Sequence, residues 1–390
     1  MVSLPVSRLS IFPANTAQVL ESRKRTFQEW GRGMTLEEYL ARDTISDKHE
    51  VSRDSRLITW VLAPHDSPGS LDFLCSCETF RRDGLVLKNA RPEPANCYGV
   101  ASVFTPPKHR RRGYAKHMMS LLHWVIAPEE SLPTEFPTEW GNRPQRVPGV
   151  TPGAFSVLYS DVGPKFYRLC GTLPNQDDGW IVDGPTTTCF NVLKTHEILS
   201  SRKKEGRLVW RWLDEASVRE AWNEDVSYME EEMSHSSNCP KPVQFTFLPN
   251  KGVAEFQYLR RQYFWEKMDP KPVYWGLCAS SSVKASPDPT TFVSWTLDVR
   301  PPRSNKLIIT RLRVHPDRLQ ELILEITAFA MKHSVETIEV WNLAKSLLDV
   351  SQHLGGTTFF REDHLPCFKW YGSENPEDIA WLWNEKFCWC

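Results

Sequence analysis

One transition from strand to turn to helix constrains this chain more than any other feature. Cys97–Thr105, CYGVASVFT, has the aromatic and β-branched content of a strand. Pro106, Pro107, Lys108 and His109 follow, then three consecutive arginines, Arg110, Arg111 and Arg112, and then Gly113. From there Tyr114, Ala115, Met118, Leu121, Leu122 and Val125 recur at helical spacing, so Gly113 stands at or near the start of an amphipathic helix. A strand that runs into a basic glycine turn and then a helix is a means of binding phosphate. Backbone N–H groups and the positive end of the helix dipole point the same way there. Glycine at 113 lets the backbone approach a bulky anion, small Ala115 clears the first turn, and several cations suit a ligand with more than one phosphate, such as a pyrophosphate. Taken alone, the arginine run fits a solvated basic turn equally well.

The 390 residues exceed one ordinary core, and at about 150 residues per domain we expect two units. Strands are expected at Val6–Phe12, RLITWVLAP (56–64), LDFLCSCETF (71–80), CYGVASVFT and AFSVLYSD (154–161), with helices at Thr16–Trp30 and over MTLEEYLARD (34–43). In the latter, Thr35 and Glu38 have the spacing of a capping box. Six prolines between Pro128 and Pro152 mark a long surface excursion. A short helix is expected around PKFYRLCG (164–171), and GWIVD with TTTCFNVL reads as a closing hairpin. The charged stretch SSRKKEGR (200–207) suggests a boundary, giving units at 1–200 and 201–390. Beyond it a helix over Asp214–Met233 is followed by strands at 242–248, 273–280, 291–299 and 306–314, a helix over Asp317–His333, a strand at 336–344 and a helix at 346–356. The second half thus repeats the strand, strand, strand, helix, strand, helix order of the first.

With 47 basic and 48 acidic residues, no global field draws the chain to nucleic acid or an anionic membrane. MVSLPVSRLSIFPAN does not make a signal peptide, and no apolar run approaches the roughly 20 residues that span a bilayer. A soluble, intracellular, cytoplasmic protein is therefore expected. The ten cysteines are scattered without zinc spacing and read as reduced, mostly buried thiols, with no metal site. The sixteen tryptophans imply large aromatic cores or a pocket for a flat or aliphatic group. The aromatic tail IAWLWNEKFCWC (379–390) is expected to pack on the second unit; membrane binding is the alternative.

Arg110, Gly113 and Ala115 fit the Arg/Gln-x-x-Gly-x-Gly/Ala loop of the GCN5-related N-acetyltransferases (GNATs), and SDVGPKFYRLCGT (160–172) resembles the next segment of that family. Ser160 takes its Asn position, Gly163 its small-residue position, Tyr167 its Tyr and Gly171 its Gly, whereas Thr172 replaces the usual Phe. The resemblance covers roughly residues 1–190. It implies an α/β (α+β) fold with a mixed central sheet flanked by helices, and acetyl-CoA as co-substrate. Backbone amides from Arg110, Arg111, Arg112, Gly113, Tyr114 and Ala115 would wrap its pyrophosphate. The strand at Val103, Phe104 and Thr105, with Ser160, would meet the pantetheine arm, and Tyr167 would donate a proton to the departing thiolate.

Direct transfer to an amine also needs a proton acceptor, for which Glu78 and Asp161 are both candidates. LRVHPDRLQELIL (312–324) lacks the glycine loop, so the second unit is expected to be GNAT-like without cofactor chemistry, shaping the acceptor pocket or supporting the first. A GNAT half joined to such a half, with VLYSDVGPKFY, resembles the fungal lysine N6-acetyltransferase family. That implies a small-molecule amine acceptor, free L-lysine first. A GNAT recruited to another amine in natural-product biosynthesis, a protein N-terminal acyltransferase, and a non-enzymatic module binding nucleic-acid phosphates through KHRRR are the alternatives. Oligomeric state is not readable.

Overall fold

The computed structural model describes residues 4–89, 91–201, 209–235, 240–280, 291–300 and 303–390. Among them the chain forms β1 (Leu9–Pro13), α1 (Thr16–Trp30), α2 (Leu36–Ser46), β2 (Leu57–Pro64), β3 (Cys75–Leu87), β4 (Pro92–Phe104), α3 (Tyr114–Ile126), β5 (Phe155–Ser160), β6 (Ile181–Val182), β7 (Thr186–Asn191) and α4 (Val192–Ser200). It continues through β8 (Val209–Leu213), α5 (Glu215–Ser234), β9 (Val243–Phe247), α6 (Glu255–Leu259), α7 (Gln262–Trp265), β10 (Gly276–Ser280), β11 (Phe292–Asp298) and β12 (Lys306–Arg313). The last elements are α8 (Pro316–Lys332), β13 (Thr337–Trp341), α9 (Lys345–His353), β14 (Thr357–Phe360), β15 (Leu365–Trp370) and β16 (Ile379–Trp381).

Local chemistry sets several boundaries. Asn15 and Gln18 close a capping box at α1, and Thr35 and Glu38 close the expected one at α2. Val6–Arg8 is a 3-10 turn, so the first strand starts at Leu9 instead of Val6. The helix expected around residues 164–171 is only a turn. In a helix the carbonyls of Tyr167 and Arg168 would accept from residues 171 and 172; here they accept from Trp180 and Gly179 as the chain doubles back (3.1 and 2.9 Å). The expected hairpin of GWIVD and TTTCFNVL does not form either, because β6 pairs with β15 while β7 pairs with β13 and β14 in the other sheet. The stretch expected to mark a boundary falls largely on 202–208, outside the described residues.

There are two mixed sheets, one running β1-β2-β3-β4-β5-β15-β6 with β9 and β16 joined through β3, the other β14-β7-β13-β12-β11-β10-β8. Sheet membership crosses residue 200 in both directions. β15, from the second half, continues the first sheet beside β5, and β7, from the first half, continues the second beside β13. Each sheet contains one parallel pair of corresponding position, β4 with β5 and β12 with β13. One continuous core joins the halves, with Phe155 in ring contact with Phe245, Phe247 and Trp370 and Leu277, Val293, Trp295 and Ile309 from the second sheet.

The opposite face of the first sheet carries α3. Every α3 residue from His117 to Ile126 is buried, more than one sheet face can cover. The proline-rich excursion supplies the rest: Phe136 packs edge-on against Trp124 (4.9 Å), Trp140 against His117 (5.8 Å), and Tyr98 donates to the Thr151 carbonyl (2.6 Å). It is therefore a cover over α3 and not a surface loop alone.

In the second half Asp225 on α5, 2% exposed, accepts from Arg311 (2.7 Å) and Arg313 (2.9 Å) of β12. Removing the buried charge that both share leaves Arg311 with Glu385 alone and Arg313 with Glu232 alone. We expect Asp225→Asn to lose about 3–5 kcal/mol of stability; denaturant unfolding checks it.

Candidate active site

β4 and β5 pair in parallel from Cys97↔Phe155 to Val100↔Leu158, and no further pair joins them. Just past that point β4 carries a bulge. Ser76 faces Phe104 and Glu78 faces Ala101, so β4 holds one extra residue, and Ser102 takes φ 52°. A cleft thus opens at the end of β4, and the basic turn closes it. Phe104 is buried against Trp30 (6.3 Å), Val103 is half-buried on the α3 side, and the Thr105 hydroxyl donates to Cys75 Sγ (3.2 Å).

Within the turn the three arginines do different things. Arg110 is structural: Nε donates to the Thr105 carbonyl (2.9 Å) and Nη2 pairs with Glu29 of α1 (2.7 Å). Its side chain staples the turn to the strand end. Arg111, at φ 62°, is exposed and Arg112 half-buried; among the described residues neither has a carboxylate at ion-pair distance. Gly113 is the N-cap of α3 at φ 80°, no side chain caps the helix, and a Cβ on Gly113 would meet nothing within 4 Å. The glycine is required by backbone conformation, and the space beside it is open. Tyr114 is buried, its hydroxyl donating to the Leu4 carbonyl (3.2 Å), and Ala115 is half-buried against the core under α3.

Tyr167 lies in the turn after β5, half-buried and edge-on to Phe166 (5.0 Å). Burial above all, then the neighbouring thiols Cys170, Cys367 and Cys75, raise its pKa far above that of a free phenol, so it is held as a proton donor. The turn is anchored by a hydrogen-bonded chain. Trp180 Nε1 donates to Ser156 Oγ (3.0 Å), Ser156 to the Tyr371 hydroxyl (2.9 Å) and Tyr371 to His123 Nδ1 (2.9 Å), while His123 Nε2 donates to the Cys170 carbonyl (2.9 Å). The Cys170 carbonyl can only accept, which orients every member. Burial keeps His123 neutral, its pKa pushed down to about 3.

The remaining candidates separate clearly. Ser160 is fully buried and closes its own turn, donating to the Gly163 carbonyl (2.7 Å). Asp161 is bound to His364, accepting from its backbone N–H (2.8 Å) and lying 3.0 Å from its Nδ1. Burial pushes the Asp161 pKa up, but the His364 contacts outweigh it and hold the pKa below the ordinary value. Glu78 accepts from Ser102 at the bulge (2.7 Å), and burial, opposed by that bond, raises its pKa. Of the two carboxylates, Glu78 is the one whose pKa burial raises on balance, and it stands beside the open strand end.

Residues that sequence reasoning missed come from the far end of the chain. Arg82, fully buried, donates to the Cys388 carbonyl (2.7 Å), Gln257 donates to the Trp389 carbonyl (2.6 Å), and Cys390 Sγ lies 3.5 Å from the Val100 carbonyl, where the β4–β5 pairing ends. The tail therefore packs across both halves, not on the second alone. His364, at φ 51°, stacks on Trp341 (5.9 Å) and meets Trp389 edge-on. Only the aromatic richness of the tail signalled this in the sequence.

The second half has the same cleft, filled. β12 and β13 part after Ile309↔Val340, and β12 has its own bulge at Thr310. Beyond it the Leu312 amide donates to Glu385 Oε2 (2.8 Å), and Glu385 Oε1 accepts from Arg311 (2.6 Å). The helix that follows starts at Pro316 and is capped by the side chain of its own His315, so no open glycine turn remains.

Residues 196–390 match the family described as the LYC1 GNAT-like C-terminal domain. The chain belongs to that family, within the GNAT superfamily. A lysine acetyltransferase of Yarrowia lipolytica is 30% identical over 103 residues, 26% of this chain and 25% of that protein, so the likeness spans only a quarter of the relative. The fold is that of solved GNAT structures. A GCN5-related N-acetyltransferase of Anabaena variabilis superposes with TM-score 0.54 at 11% identity, covering 94% of this chain and 73% of that one. A probable N-acyltransferase of Enterococcus faecalis gives 0.53 at 12% identity over 92% and 71%. This GNAT chain therefore carries two GNAT-type sheets, with one open cleft and one filled. No described helix is long and apolar enough to cross a membrane, and the nine described cysteines are all free.

Two outcomes follow from this geometry. Gly113→Glu should abolish protection by acetyl-CoA against thermal unfolding; retained protection would mean that the turn does not hold the ligand. His123 has a depressed pKa, so the unfolded state binds more protons and stability should fall as pH drops from about 6.5 towards 3, by at most roughly 1.4 kcal/mol per pH unit. Melting curves of His123→Gln should show a flatter acid branch.

Proposed function

We propose that this chain is an acetyl-CoA-dependent N-acetyltransferase that transfers the acetyl group directly to a primary amine of a small molecule, with the N6 amine of free L-lysine as first choice. The observation that carries the reading is the parting of β4 and β5 beside an uncapped helix start with Gly113 at φ 80°. Acetyl-CoA supplies an activated thioester there. The turn from Arg110 to Ala115 would hold its pyrophosphate by backbone amides and the Arg111 and Arg112 side chains, and β4 from Val103 to Thr105 would lie along its pantetheine. The Ser160 hydroxyl, committed to its own turn, has the smallest part.

Glu78 takes the proton that the acceptor amine must lose, and Tyr167, held protonated, gives one to the departing thiolate. Backbone N–H groups of the bulged strand would serve as donors to the reacting carbonyl. Asp161 acts on His364 instead of on substrate. The lysine choice rests on the distant relative named as a lysine acetyltransferase.

Thiol release from acetyl-CoA against free lysine, shorter homologues, polyamines, aromatic amines and lysine peptides tests the reading. Turnover with lysine is expected, and activity confined to another amine would move the substrate while keeping the chemistry. Tyr167→Phe and Glu78→Gln should each lower kcat by about 10²-fold or more with acetyl-CoA protection retained. An unchanged kcat in either removes that residue from its role.

A further inference from the structure

Where the two halves meet, positive charge is buried in excess. Lys386 is 4% exposed, and its Nζ lies 4.0 Å from the ring centre of Trp341 and 3.9 Å from that of Trp389. Among the described residues it has no hydrogen-bond or ion-pair partner. The Arg361 guanidinium lies 4.1 Å from the Trp341 ring centre. Its Nε donates to the His364 carbonyl (3.2 Å) and Nη1 to the Thr186 carbonyl (2.7 Å), but the buried Nη2 has no partner.

The nearby carboxylates do not resolve the excess. Glu339 accepts from Lys306 (3.1 Å) with one oxygen and from Trp341 Nε1 (2.7 Å) with the other. Asp298 is held bidentately by Arg300 (2.8 and 2.9 Å) and lies 3.5 Å from Arg261. Five cations, Arg261, Arg300, Lys306, Arg361 and Lys386, thus gather around Glu339 and Asp298, which are already engaged, and Asp161, a third carboxylate near Lys386, is bound to His364. Burial first, and then Arg261, pushes the Lys386 pKa well down, with Glu339 and Asp298 only partly opposing. Aromatic faces offset some of this cost, but they supply no counter-charge.

This cluster adjoins the cleft. Trp389, which covers Lys386, meets His364 and precedes Cys390 at the Val100 carbonyl. We infer that Lys386 and Arg361 form an anion subsite, in which the carboxylate of an amino-acid acceptor replaces the missing counter-charge. Resting on the acetyltransferase reading, it adds the residues that would select a carboxylate-bearing amine. Junctions between domains are common places for such a pocket, and a carboxylate matches the free edge of a guanidinium.

The test separates binding from turnover. 6-Aminohexanoate and hexylamine, alike in chain and amine but differing in the carboxylate, are titrated calorimetrically into the full chain. The carboxylate-bearing probe should bind about 10-fold or more tightly, Lys386→Met should erase the difference, and Lys386→Arg should keep most of it. Circular dichroism melting confirms that each variant folds, and Lys386→Gln replaces the Met variant should that one not fold. Equal affinity for both probes, no binding of either, or discrimination surviving the loss of the Lys386 charge would overturn the subsite. Absence of acetyl transfer to lysine, with this discrimination intact, would instead count against the proposed activity alone.

Discussion

Everything functional in this molecule depends on a limited parallel pairing. β4 and β5 share four pairs, as do β12 and β13, and then each couple parts. Backbone groups that lose a strand neighbour must find another partner, because a buried unpaired amide costs as much as a lost hydrogen bond. In the second sheet the chain supplies that partner from its own tail, with Glu385 accepting from Leu312. In the first it supplies a glycine turn and an uncapped helix instead. The same architecture is thus self-satisfied in one half and left open in the other.

The tail couples these two solutions. Its Glu385 fills the second cleft, its Lys386 is caught between tryptophans, and its Cys388 and Trp389 carbonyls are held by Arg82 and Gln257 at the back of the first cleft. The filled half therefore does more than support the fold, because the wall that it donates lies beside the strands that part. Exchange of β7 and β15 between the sheets binds the halves further, and makes independent movement of either costly.

Features decided within a few residues were legible in the sequence. The capping box of α2, the glycine start of α3 and the strand-to-helix order around it follow from local spacing, and the structure has them where spacing put them. Features decided by distant partners were not. The failed helix after β5 lost its carbonyls to Gly179 and Trp180, and β15 was hidden by Pro366 in a strand that pairs on both edges. At the candidate site, the open glycine turn at Gly113 was readable from motif spacing, whereas the pairing of the Arg110 side chain was not, because Glu29 stands across from it. His364, Lys386 and Arg361 gave no sequence signal, since their chemistry arises only when the last thirty or so residues fold across both halves.

We propose one open coenzyme cleft in a chain with two sheets of the same kind. Calorimetric titration of coenzyme A into the full chain tests it most directly. One site per 390-residue chain, lost in Gly113→Glu, is the predicted result; two sites, or one that survives this substitution, would contradict it.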